Sequence, residues 1–207
     1  MSTTTAPDRT TTYAIIGSGN IGSDLARHLA RAGIAFSIAN KRGPDSLQPL
    51  VNELGDTVAA QSLEAAVDAD IVFLAIPFST VESFAKIRDD WSGKIIIDAT
   101  NAYGVTPEYL AGRLSSDIVA GAFRGASVVK AFNYVGSKVL ARNPAEHGGH
   151  RVMFIAGNHD EANATVAALA KRFGFAPIVL GRIDGGGQVL NLGGPVLLHN
   201  LIEFPSD

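Results

Sequence analysis

The chain has 207 residues, 46% of them hydrophobic and 18% charged, with a formal net charge of −3. That is long enough for one domain with a real core and too apolar for a disordered chain. The net negative charge excludes a general nucleic-acid binder, and the absence of cysteine excludes disulfides, thiolate metal sites and cysteine nucleophiles.

No run of about 18 apolar residues is present, so no membrane-spanning helix is expected. Residues 1–12 are polar and Thr-rich with no apolar h-region, which reads as a flexible tail and not as a signal peptide. The expected location is cytoplasmic, with no membrane partner.

Tyr13 to Ile16 is a short apolar strand bounded by glycine. From Asn20 to Ala32 apolar residues recur at helical spacing, and Gly33 supplies the stop. His28 is assigned to the polar face of this helix. A second strand runs from Ile34 to Ala39, a loop from Asn40 to Ser46, and a helix from Leu47 to Leu54. Thr57 to Ala60 is a third strand, and Ser62 caps a helix. Ile71 to Ile76 is a fully apolar fourth strand stopped by Pro77. Ser79 or Thr80 caps a helix through Ile87, and Lys94 to Ile97 is a fifth strand.

Pro107 to Leu114 is predicted helical, Ser127 to Phe132 a sixth strand, and Tyr134 to Ala141 a helix. A polar loop covers Asn143 to Gly149. Val152 to Ala156 is a seventh strand, Asp160 to Phe173 a long amphipathic helix, and Ile178 to Leu180 an eighth strand. After Asp184-Gly185-Gly186-Gly187 comes an apolar tail, Val189 to Phe204. Strict alternation of strand and helix predicts an α/β fold, a doubly wound, mainly parallel sheet of Rossmann type, with a short apolar C-terminal extension.

The stretch that carries chemistry is Gly17-Ser18-Gly19-Asn20-Ile21-Gly22. It sits between a strand and a helix, the context in which Gly-x-Gly-x-x-Gly binds a dinucleotide. Gly17 permits the turn, Gly19 lets the backbone approach a pyrophosphate, and Gly22 lets helix and strand pack closely. The alternative is an ordinary glycine-rich turn. At the end of the second strand an NAD site places Asp or Glu on the ribose hydroxyls. Here Asn40, Lys41 and Arg42 stand instead. A guanidinium fork and an ammonium suit a 2′-phosphate, so the expected cofactor is NADP(H). This divides the chain into the tail (1–12), an NADP-binding Rossmann domain (13–183) and a C-terminal substrate or dimer segment (184–207).

Ligands of open α/β sheets bind beyond the carboxyl ends of the strands. Ile76 and Pro77 are expected to give apolar cover there, and Val81, on the helix that follows, is counted with the cofactor-binding set. Asn101 and Asn133 offer neutral hydrogen bonds to a carboxamide or ribose. Lys130 is read either as assisting a phosphate or a reducible ring, or as a surface cation. His199, in the apolar tail, is a residue that reaches the cleft or a structural one. No metal-ligand spacing, no Ser-His-Asp arrangement and no acid–base carboxylate pair stands out. Hydride transfer to a carbonyl needs a proton donor, whereas transfer between two redox rings needs mainly orientation. The sequence therefore leans toward a cofactor-to-cofactor reaction, with no catalytic residue assigned.

Gly17 to Gly22, Asn40 to Leu47, Asp98 to Asn101 and Val129 to Asn133 together resemble the NADPH-dependent oxidoreductases of the coenzyme F420 (deazaflavin) type. The resemblance extends over roughly Tyr13 to Ile202. Lys130-Ala131-Phe132-Asn133 is also similar to the cytoplasmic reductase domain of the membrane ferric reductases. The resemblance implies hydride exchange between NADPH and a deazaflavin or flavin whose ring stacks over the nicotinamide, with Gly187 to Pro195 near that second substrate. Lys41 stands where a small Ser is common, and the tail is unusually rich in glycine. Two further readings stay open: a reductase of a small carbonyl or imine substrate, with Tyr134, Lys130 or His199 as proton donor, and a non-enzymatic NADP(H)-sensing module. The apolar tail leads us to expect a homodimer.

Overall fold

The computed structural model describes residues 10–205, so residues 1–9 of the expected tail lie outside the described residues. At its start Thr12 donates from N and Oγ1 to Asp70 Oδ2 (2.9 and 2.8 Å).

The elements in chain order are β1 (Tyr13–Ile16), α1 (Asn20–Arg31), β2 (Phe36–Ala39), α2 (Gln48–Leu54), β3 (Val58–Ala60), α3 (Leu63–Ala66), β4 (Ile71–Leu74), α4 (Val81–Ala85) and β5 (Ile95–Asp98). They continue with α5 (Pro107–Leu110), α6 (Ser115–Ala122), β6 (Ser127–Lys130), α7 (Ser137–Leu140), β7 (Ala145–Glu146), β8 (Gly149–Gly157), α8 (Asp160–Arg172), β9 (Ala176–Val179), α9 (Gly186–Leu190) and β10 (Ile202–Glu203). Strands β3-β2-β1-β4-β5-β6 lie side by side, and all five pairings among them are parallel. This is the doubly wound order with its switch point between β1 and β4. Strand β8 joins β6 antiparallel and carries β9 parallel and β10 antiparallel, so the whole is a mainly parallel mixed sheet.

Each central strand is apolar on both faces because helices cover both. Ile15, Phe73, Ile97 and Val129 point into one core layer with Leu25 and Leu29 of α1 and Val166 of α8. Ala14, Ile16, Val72, Leu74 and Ile96 point into the other, with Val81, Ile118, Val119, Phe123 and Trp91. Ser62 caps α3 as expected, its side chain accepting from Ala65 N at 3.3 Å.

Several expectations need correction. Residues 115–122 form α6, which was not predicted. Its buried residues are Ser115, Ser116, Ile118 and Val119, two polar and two apolar, so no clean stripe marks it. The expected loop over 143–149 contains β7, and the apolar tail is divided into α9 and β10. His28 is not on a polar face: it is 1% exposed, stacks on Phe173 (5.5 Å) and meets Phe175 at a tilt (5.1 Å). Its Nε2 lies 2.7 Å from the Leu140 carbonyl, and Arg31 Nη2 lies 3.1 Å from Nδ1. An arginine only donates, so the ring is the neutral tautomer with its proton on Nε2. Burial lowers its pKa from 6.5 to about 4.

Among the described residues no helix is long and apolar enough to cross a membrane.

Candidate functional site

The carboxyl ends of β1, β2 and β4 surround a cleft of about 530 Å³. Its floor is Gly17, Ser18 and Gly19, one end is Asn40, Lys41 and Arg42, and the opposite wall is Ala75, Ile76 and Pro77. The floor exists because the turn after β1 is forced tight. Gly17 has φ +105°, and a Cβ there would lie 2.1 Å from the Ala75 carbonyl oxygen. A Cβ on Gly22 would lie 2.0 Å from the Gly17 carbonyl oxygen, which is how α1 comes to rest on the turn. Gly19 differs: its φ is −74°, and a Cβ there would meet nothing within 4 Å. No protein atom fills the space above Gly19, so its backbone is open to the cleft.

The first hydrogen bond of α1 runs from Ser23 N to the Gly19 carbonyl (2.9 Å). The N–H groups of Asn20, Ile21 and Gly22 before it therefore have no intrahelical acceptor, and with no acidic residue in the first turn the positive end of the helix is open to an anion. The exposed side chain of Asn20 and the half-buried side chain of Ile21, which packs on the core, are not part of the cleft wall.

At the cationic end the side chains are pre-arranged. Asn40 Nδ2 donates to Ser18 Oγ (2.8 Å) and Ser46 Oγ (3.0 Å), and Asn40 Oδ1 accepts from Arg42 N (2.8 Å). Arg42 Nη2 sits 3.4 Å from Ser18 Oγ. Ser18 Oγ thus accepts from both neighbours and keeps its own proton for another acceptor. Lys41 and Arg42 are exposed, and two cations beside the free Ser18 hydroxyl proton are groups that suit a dianion.

The sequence reading missed Ser46, which ties the Asn40 loop together by donating to the Gly43 carbonyl (2.8 Å). It also missed Leu63, Thr80, Ser83 and Phe84, which complete the cleft wall. Thr80, Ser83 and Phe84 share one face at i, i+3, i+4 spacing, a signal visible in the sequence.

Three expected residues behave differently. Val81 is fully buried in the core and does not face the cleft. Lys130 is neither a surface cation nor a ligand contact: it is 0% exposed, and its Nζ donates to Asp98 Oδ2 (2.9 Å) and the Thr100 carbonyl (2.5 Å). Tyr134 is also fully buried, its hydroxyl donating to the Val152 carbonyl at 2.5 Å, and burial raises its pKa further above the phenol range. Neither is placed to give a proton to a substrate. Asn101 and Asn133 are brought together, Asn133 Nδ2 donating to Asn101 Oδ1 at 3.0 Å, and lie further along the strand ends. His199 is exposed on the tail.

A 3-2-1-4-5-6 parallel sheet with a glycine turn, an open helix end and a cationic pocket at its carboxyl edge is a Rossmann dinucleotide-binding fold. Residues 12–102 match the family model described as NADP oxidoreductase, coenzyme F420-dependent. The structure of the hypothetical protein SMa0349 from Sinorhizobium meliloti is similar with a TM-score of 0.89 and 43% identity, covering 94% of this chain and 96% of that one. The chain is therefore similar over its first half to the NADP oxidoreductases of the F420-dependent type. It is also 28% identical over 184 residues to Metalloreductase STEAP3 of Rattus norvegicus, covering 88% of this chain and spanning only 36% of that relative. A provisionally assigned F420-dependent NADP-reductase from Arthrobacter sp. FB24 shares the fold, with a TM-score of 0.68, 24% identity and coverage of 84% and 86%.

Proposed function

We propose that the protein transfers hydride between NADPH and a ring acceptor, a deazaflavin of the coenzyme F420 class or a flavin, supplied as a second substrate. One observation carries the cofactor half: the open space above Gly19 continues into a pocket whose far end is Lys41 and Arg42. Pyrophosphate fits the turn, and a 2′-phosphate fits Ser18, Asn40, Lys41 and Arg42. The acceptor half is supported by the burial of Tyr134 and Lys130, two of the three side chains named for proton donation to a carbonyl or imine. Ring-to-ring transfer needs orientation and dry surface, and Ile76 and Pro77 provide apolar wall beside the turn. NADPH supplies the hydride; the chain's own residues bind and orient it.

The exposed Leu198 (66%), Leu201 (38%) and Phe204 (59%) of the C-terminal segment favour a second copy of the chain as their cover.

Anaerobic mixing with NADPH and either oxidised ring tests the reaction. The expected result is bleaching of the deazaflavin or flavin band in step with NADPH oxidation. Tight NADPH binding with no bleaching of either ring removes the proposal.

A further inference from the structure

The carboxyl ends of β5 and β6 hold an ion pair that the cleft does not use. Asp98 and Lys130 are opposite one another in the parallel register, and both side chains are 0% exposed. Lys130 Nζ donates to Asp98 Oδ2 (2.9 Å) and to the Thr100 carbonyl (2.5 Å). Asp98 Oδ1 accepts from Thr100 N (2.9 Å) and Thr100 Oγ1 (2.7 Å). Both carboxylate oxygens and the ammonium are therefore engaged in closing the turn that follows β5 onto β6.

The next residue is Asn101. Its Nδ2 donates to the Asn133 carbonyl (2.7 Å), and its Oδ1 accepts from Asn133 Nδ2 (3.0 Å). Asn133 Nδ2 also donates to the Leu190 carbonyl (2.7 Å). Turning the Asn133 amide over would set its oxygen against two other oxygens, so its orientation is fixed. Its Oδ1 remains buried with no hydrogen-bond partner. The half-buried Asn101 amide keeps its second N–H clear of these bonds.

A buried ion pair is a weak stabiliser, since apolar residues of like volume do as well or better. What this pair supplies is geometry. Strand β5 is the neighbour of β4, whose end carries Ala75, Ile76 and Pro77 on the cleft wall. We infer that Asp98 and Lys130 are positioning residues for the nicotinamide half of the cofactor. They hold the 98–101 turn so that the Asn101–Asn133 amide pair presents a donor to an acceptor atom of the nicotinamide nucleoside. The inference rests on the NADP(H) reading above; neither charged group touches the cofactor.

The test compares NADPH with 2′-phospho-ADP-ribose, which lacks the nicotinamide, by calorimetry. The wild type is expected to bind NADPH more tightly than the fragment. In the Asp98→Val/Lys130→Met double variant the melting temperature falls, because the buried Thr100 N–H, hydroxyl and carbonyl lose these partners, while fragment affinity in the folded protein stays near wild type. The advantage of NADPH over the fragment shrinks by roughly tenfold, equivalent to about 1.4 kcal/mol. Thr100→Val, which removes one bond to Asp98, shrinks it partly. An undiminished advantage in the double variant overturns the inference, as does an equal weakening of both ligands. If the double variant does not fold, an unchanged advantage in Thr100→Val overturns it. Failure of the cofactor reading looks different: the wild type itself then binds NADPH no better than NADH.

Discussion

Gly19→Ala separates a ligand's need for a bare backbone from the protein's own. At φ −74° and ψ −170° alanine is unstrained, and its Cβ meets no atom within 4 Å. Stability should stay within about 1 kcal/mol of wild type, because the freedom the unfolded chain loses offsets alanine's poorer fit at the N-cap of α1. Binding should suffer, since the methyl group occupies the space through which pyrophosphate reaches the N–H groups at the start of α1. One hydrogen bond to a charged group contributes about 1.5–3 kcal/mol. Losing one weakens NADPH binding by roughly tenfold to over a hundredfold. Gly17→Ala is the contrast: at φ +105° with a Cβ 2.1 Å from the Ala75 carbonyl oxygen, it should lower stability itself. Melting curves and NADPH titrations of both variants decide. Wild-type NADPH affinity in a folded Gly19→Ala protein would refute the placement of the phosphates on this turn.

His28 makes stability pH-dependent. Its folded pKa of about 4 lies below the ordinary 6.5, so only the unfolded chain takes up the proton between those values. Stability therefore falls as pH drops through that window, by up to about 3 kcal/mol. Denaturant midpoints should show this acid loss in the wild type and a smaller one in His28→Phe; equal losses contradict the neutral buried ring. Tyr134→Phe leaves the Val152 carbonyl buried without its partner, so stability should fall by about 1–3 kcal/mol while hydride-transfer rates in the folded protein stay unchanged. A turnover defect would return Tyr134 to the site. Light scattering should give the mass of a dimer, and Leu198→Asp/Phe204→Asp should give a monomer; a monomeric wild type contradicts the proposed cover of the C-terminal segment.

The parts written locally were legible. Gly17, Gly19 and Gly22 act through backbone geometry, and the turn they make follows from their spacing. The apolar runs of β4 and β5 are buried on both faces, so they read as strands without knowledge of their neighbours. What escaped depends on distant partners. His28 is dry because Phe173 and Phe175, far along the chain, close over it. Lys130 looked like a cation seeking a phosphate because its counterion, Asp98, is set opposite it only by strand pairing. Tyr134 is withdrawn by the carbonyl of Val152 on β8. Val81 belongs to a short helix whose inner face could not be told from its outer one before the sheet was assembled. Helix α6 mixes buried serines with buried aliphatics, and β10 is a strand only because β8 supplies the partner.

Cofactor choice at the end of β2 is the central claim, and paired titrations with NADPH and NADH test it most directly. The wild type should bind NADPH far more tightly than NADH. In Lys41→Ala/Arg42→Ala the NADPH affinity should fall toward that of NADH, while NADH binding barely changes. Equal affinity of the wild type for the two cofactors would contradict it.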